Sequence, residues 1–126
     1  MIFGIGTDIV QTSRMQRNLA RFGERFARRM LSEDEYADFE RSGDKANFLS
    51  RRFAAKEAAA KALGTGFANG IRLQDITVSH DQRGRPLLRF TGGARTFLDA
   101  HGITASHVSL ADERDHAVAF VTLEIL

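Results

Sequence analysis

The chain has 126 residues, no cysteine, no tryptophan and a single proline, and its 18 basic residues nearly balance 16 acidic ones, for a net charge of +2. That length suits one domain with one core. The lack of cysteine excludes disulfides, iron–sulfur clusters and thiolate zinc sites, and 43% hydrophobic with 27% charged residues excludes wholesale disorder.

The opening MIFGIGTDIV has neither a basic leader nor a long apolar stretch, and no later apolar run approaches the ~20 residues of a membrane helix. The expectation is a cytoplasmic protein. Phe3, Ile5 and Ile9 alternate with Gly4, Gly6 and Asp8, so Phe3–Val10 is predicted as a strand. One face of that strand carries only two glycines and the aspartate, which leaves room for another element to approach the backbone.

The mild total charge conceals a division. Arg14–Arg29 holds six arginines (14, 17, 21, 25, 28, 29) against Glu24, a net +5, whereas Ser32–Glu40 holds five acids and no base. At 100° per residue, Arg14, Arg17, Arg21, Arg25 and Arg28 form one stripe, with Met15, Leu19, Phe22, Phe26 and Met30 on another side. Gly23 is expected to break this helix in two. A solvated face is the ordinary reading of such a stripe. The exclusive use of arginine favours a docking surface for carboxylate or phosphate. Nucleic acid is one candidate partner, but the aromatics are expected on the apolar side, not among the arginines, unlike a base-stacking platform, and an acidic protein surface is at least as good a candidate.

Ser32 and Glu35 have the spacing of a capping box that opens a short acidic helix. Asn47–Leu63 is alanine-rich, free of proline and glycine, and followed by Gly64, so a long helix is predicted with that glycine as its C-cap. Leu73–His80 and Leu87–Phe90 are predicted as strands around the turn Asp81–Gly84. A helix over Ala94–His101 and a second hairpin, Ser106–Leu110 with Ala117–Ile125, complete the chain. Short turns between strands imply an α+β fold: one small domain over residues 1–126, an antiparallel sheet packed against a long central helix.

Two carboxylates stand out. Glu57 lies one turn before Lys61 and at the margin of the buried face of the long helix. As an exposed ion pair the two contribute only ~0.2–0.5 kcal/mol. Asp8 is equally readable as a cap for the helix that follows it. The other reading pairs Asp8 with Glu57 as oxygen ligands for magnesium, with Lys45, Arg51, Arg52 and Lys56 supplying charge for phosphates. No phosphate-binding Walker loop is present, since Gly64-Thr65-Gly66 ends a helix instead of opening one. His80, His101, His107 and His116 lack metal-ligand spacing, and no Ser–His–Asp set is readable.

Ile5-Gly6-Thr7-Asp8-Ile9-Val10, Arg52-Phe53-Ala54-Ala55-Lys56-Glu57-Ala58, Lys61-Ala62 and Gly64-Thr65-Gly66 together resemble holo-acyl-carrier-protein synthase, the small bacterial type of 4'-phosphopantetheinyl transferase. The resemblance runs from the first strand to the last. It implies a magnesium-dependent transferase that moves the 4'-phosphopantetheine arm of coenzyme A to a serine of apo acyl carrier protein for fatty acid biosynthesis and lipid metabolism, releasing 3',5'-ADP. It implies Asp8, Glu57 and Lys61 as catalytic residues, and Asp8 and Glu57 as metal ligands. Lys45, Arg52, Gly64, Gly84, Pro86 and His107 match coenzyme-binding positions, and the arginine stripe, at Arg14, Arg21, Arg25 and Arg28, is then the expected surface for the acidic carrier protein. Neither nucleic acid nor membrane is an expected partner. The family pattern is a homotrimer with sites between subunits. Many members have a second histidine where this chain has Asp112. A nucleic-acid module and a magnesium phosphohydrolase are the alternatives that residue types alone leave open.

Overall fold

The first strand, β1 (Ile2–Gln11), is ten residues long in the computed structural model, which describes Met1–Leu126 throughout. It leads directly into α1 (Thr12–Phe22) and α2 (Glu24–Met30). Gly23 separates the two at φ +64°, a left-handed value that glycine adopts without a Cβ penalty. The expected break is therefore present, and it has a consequence the helical arithmetic missed. Met15 and Met30 are buried, but Phe22 is swung outward and is 51% exposed.

Next comes α3 (Glu33–Arg41), opened by the predicted capping box: Ser32 Oγ accepts from Glu35 N–H, and Glu35 Oε1 accepts from Ser32 N–H. The long helix, α4 (Lys45–Leu63), starts two residues before the predicted boundary because Asp44 caps it, accepting from Asn47 N–H at 3.1 Å. It ends where expected, at Gly64, whose φ is +83°. Most of its residues are buried, so α4 is the axis of the domain.

The remaining elements are β2 (Ile76–His80), β3 (Pro86–Phe90), α5 (Gly92–Ala100), β4 (Ile103–Asp112) and β5 (His116–Ile125). Leu73–Asp75, predicted as strand, is instead a 3-10 turn, because Asp75 folds back to accept from Arg72 N–H at 3.0 Å. The expected single sheet is two. β1, β5 and β4 form an antiparallel sheet in that order, and β2–β3 forms a separate hairpin.

In the larger sheet Gly6, Val121 and Val108 lie opposite one another, as do Asp8, Ala119 and Leu110. This face packs on α4. A Cβ added to Gly4 or Gly6 would collide with the carbonyl oxygen of Ala62 or Ala58, so these glycines, facing the helix's alanines, set how closely strand and helix approach. Deep burial of the alanines of α4, together with Val10, Leu49, Val121 and Leu123, forms the core between them. No helix is long and apolar enough to cross a membrane.

Candidate active site

Close packing of β1 on α4 delivers Asp8 to the helix surface near Glu57 and Lys61. Asp8 does not cap α1: the residue at that cap is Gln11, and no side chain caps there. The Asp8 carboxylate instead accepts from Lys61 Nζ at 3.0 Å, and the same ammonium donates to Thr7 O at 3.0 Å. The Asp8 side chain is 17% exposed and that of Lys61 53%, so the pair forms the rim of an open site.

Glu57 takes no share of the Lys61 hydrogen bonds. Partial burial, followed by the negative charge of Asp8, raises its proton affinity above that of an ordinary glutamate, while Lys61 and Arg14 oppose the rise. The two carboxylates thus repel each other across a site whose nearest cation is already engaged. Oxygen donors on two elements, under-neutralised and half open, suit a hard cation that keeps waters and substrate oxygens in its remaining positions. The donor set fits magnesium, with Asp8 and Glu57 as the residues able to hold it.

The influence of Arg14 on Glu57 is a feature that the stripe reading missed. Its guanidinium also lies over the Phe53 ring, 5.1 Å from the centroid. Arg14 therefore belongs to the margin of the Asp8–Glu57 cluster as well as to the basic surface. The spacing Phe53–Glu57, one helical turn, was the available signal. Arg21, Arg25 and Arg28 are exposed, and Arg28 stacks over Tyr36 at 4.0 Å. None of the six arginines of α1 and α2 forms an ion pair within the chain. The expectation that aromatics stay on the far side is corrected. Phe22, Arg25, Phe26 and Arg29 line a recess of about 230 Å³, so rings and cations share this surface.

Other predicted residues are dispersed. Gly64 ends α4 about one turn beyond Lys61 and two turns beyond Glu57. Pro86 and His107 meet in a recess of about 340 Å³ at the free edge of β4, lined also by Arg85, Leu87, Ser106 and Val108. Gly84, at φ +84°, sits in the adjoining turn, where Asp81 Oδ1 accepts from Arg83 and Arg85 N–H. His107 Nε2 is 3.1 Å from Glu124 Oε2. This recess and the Asp8 cluster lie at opposite edges of the three-stranded sheet, and His107 is also three residues along β4 from Leu110, the residue level with Asp8.

Three cations expected to face phosphates are engaged by partners within the chain. Lys45 Nζ donates to the carbonyls of Phe39, Glu40 and Ser42 at 3.1–3.2 Å, closing the end of α3. Arg52 is only 6% exposed, and its guanidinium binds Glu35 and the carbonyl of Val78. Lys56 is fully buried against Glu35. For Arg52 and Lys56 a helix face that looks solvent-ready in the sequence is covered by a neighbouring segment, whereas Lys45 stays exposed with its ammonium turned onto carbonyls at the end of α3.

With this geometry in view, the chain's relatives are informative. Residues 4–121 match the 4'-phosphopantetheinyl transferase superfamily. The chain is 58% identical over 125 residues to a holo-[acyl-carrier-protein] synthase of Alkalilimnicola ehrlichii, covering 98% of both chains. It is 56% identical to one of Halorhodospira halophila, again over 98% of both. Among solved structures, the holo-[acyl-carrier-protein] synthase of Neisseria meningitidis superposes with a TM-score of 0.94 at 41% identity, covering 98% of this chain and 99% of that one. The Bacillus anthracis synthase, solved in complex with CoA (3',5'-ADP), gives 0.82 at 34% identity, covering 100% and 99%. With the match running along nearly the whole chain, this protein belongs to the 4'-phosphopantetheinyl transferases, in their holo-acyl-carrier-protein synthase branch.

Proposed function

We propose that this enzyme, acting in the cytoplasm, transfers 4'-phosphopantetheine from coenzyme A to a serine of apo acyl carrier protein. The reaction is magnesium-dependent, releases 3',5'-ADP and yields holo carrier protein for fatty acid biosynthesis. The observation that carries this reading is the under-neutralised pair Asp8–Glu57 beside Lys61 on a half-open surface.

In this reaction the serine oxygen bonds to the pantetheine-side phosphorus of the pyrophosphate, and the bond from that phosphorus to the bridging oxygen breaks. The serine proton needs an acceptor, and Glu57, directly or through a water molecule, would help to remove it. The leaving 3',5'-ADP gathers negative charge, which the ammonium of Lys61 and the guanidinium of Arg14 offset. Asp8 and Glu57 are the residues that would hold a magnesium ion, which would supply further charge neutralisation on the pyrophosphate. The recess at Pro86 and His107 is the proposed seat for part of the coenzyme. The unpaired arginines 14, 21, 25 and 28 receive the acidic carrier protein, with Phe22 and Phe26 between them.

The assembly inferred is a homotrimer with sites between subunits. The sheet face away from α4 supports it: Ile5, Ile9 and Phe120 are 70%, 64% and 59% exposed and contiguous across β1 and β5. In such an assembly the recess of one copy serves the Asp8–Glu57 pair of its neighbour.

Mass spectrometry of apo carrier protein incubated with coenzyme A, magnesium and the enzyme tests the reading. A gain of one phosphopantetheine mass, lost when magnesium is chelated, is expected. No gain under any metal condition would remove the proposal.

A further inference from the structure

On the other side of α4 lies a polar cluster that the transfer reaction does not use. Glu35, contributed by α3, is fully buried. Its Oε1 accepts from Lys56 Nζ at 2.6 Å and from Ser32 N–H and Oγ at 3.1 and 3.2 Å. Its Oε2 accepts from Val78 N–H at 3.0 Å and Arg52 Nη1 at 3.3 Å. Lys56 Nζ also donates to the carbonyls of Leu73, at 2.9 Å, and Ile76. Arg52 Nη1 donates to the carbonyl of Val78 at 3.0 Å.

The β2 main-chain atoms in this set share one property. β2 pairs only with β3, so its other edge is free of strand partners. The carbonyl of Ile76 and both polar groups of Val78 lie on that free edge, and they are the groups bound by Lys56, Glu35 and Arg52. Three side chains thus stand in place of a neighbouring strand, satisfying an edge that would otherwise be orphaned in a buried setting.

Apolar contact alone would press β2 against α4 without fixing how far it slides, because the hydrophobic effect is non-directional. Hydrogen bonds to three successive edge groups define a register. The outer end of the same hairpin carries the Asp81–Arg85 turn and Pro86, which borders the recess shared with His107.

We propose that Glu35, with Lys56 and Arg52, acts as a positioning device that locks the β2–β3 hairpin onto α4 and so sets where the Pro86–His107 recess sits. The reading of that recess as a coenzyme seat is the one given under Proposed function. Glu35, Lys56 and Arg52 act through the hairpin and need not touch substrate. The cluster holds one carboxylate and two cations, so removing Lys56 leaves a neutral Glu35–Arg52 pair, the milder of the two available perturbations.

Lys56→Met and Glu35→Gln in the full chain test this. Amide hydrogen exchange over Ile76–His80 is expected to accelerate by about tenfold or more in both, with β1 and β5 unchanged. In the same proteins the KM for coenzyme A should rise about fivefold, while kcat and the KM for carrier protein stay within about twofold. Unchanged exchange in β2, or faster exchange spread evenly over β1, β2 and β5, would overturn the locking role. A fall in kcat at constant coenzyme A KM would overturn the link to the recess. If Glu35→Gln does not fold, Lys56→Met decides. Absence of transfer by the wild-type enzyme removes the functional reading, and the exchange measurement then judges the locking role by itself.

Discussion

Helix α4 carries two acid–base clusters of similar composition, and they have opposite characters. On one side Glu35 meets Lys56 and Arg52; on the other Asp8 and Glu57 meet Lys61. Glu35 is fully buried yet accepts five hydrogen bonds, two of them from main-chain amides. Glu57 is only partly buried, and Lys61 donates to Asp8 and Thr7 O instead of to it. Burial with full satisfaction makes a fixed structural joint. Partial burial without satisfaction leaves a carboxylate that gains from a proton or a metal. The difference lies in the number of donors that reach the carboxylate, not in the residue types.

The contrast is broken most severely at the satisfied cluster. Glu35→Ala strands the buried Lys56, leaves Arg52 with only its 3.8 Å ion pair to Asp38, and is expected to cost about 3–5 kcal/mol, visible as a lower urea midpoint. A loss below about 1 kcal/mol would mean that the cluster is easily bypassed. At the other cluster the balance reverses. Asp8→Ala should leave the unfolding midpoint nearly unchanged while turnover falls by at least about a hundredfold. Turnover within threefold of wild type would remove Asp8 from the site.

A subtler test separates the two through pH. Because the folded state raises the proton affinity of Glu57, it holds that proton more tightly than the unfolded chain does. The stability owed to this group is therefore present at low pH and declines as pH rises from the usual 4.5 through the raised value. Without magnesium, Glu57→Gln should melt at the same temperature as wild type near about pH 4, and at a higher one near about pH 8. Equal melting at both would show that Glu57 is not strained. Magnesium should narrow the gap at the higher pH by stabilising wild type alone. The smallest expected effect is at the basic surface. Arg21→Glu should raise the KM for carrier protein about fivefold, more at low salt, with the coenzyme A KM unchanged. Salt-independent kinetics would return the arginine stripe to a solvated face.

Much of the site was legible because its signals are local. Gly23 and Gly64 end helices by their own conformational freedom, and Ser32 with Glu35 forms a cap within one turn. The bare glycine face of β1 foretold a close neighbour, and Asp8 at the end of that face marked where it would meet a polar side chain. Spacing on α4 put Glu57 and Lys61 on a common side. Arg52 and Lys56 also share a face, four residues apart, and two cations beside Ala55 and Ala59 could have been read as a demand for a buried acid. Their partner, however, lies 17 and 21 residues away on another helix.

The amino-acid order by itself determined the helix ends, the two carboxylates, the arginine stripe and the α+β class, since each depends on neighbours within a turn or on alternation along a strand. Only the tertiary structure decided that the chain makes two sheets, with β1 paired to β5 from the far end. It alone decided which cations of α4 are buried, that Phe22 turns outward among arginines, and that Arg14 stands beside Glu57. These outcomes depend on which segments cover one another, and burial sets the value of a charge through its desolvation and the donors left within reach.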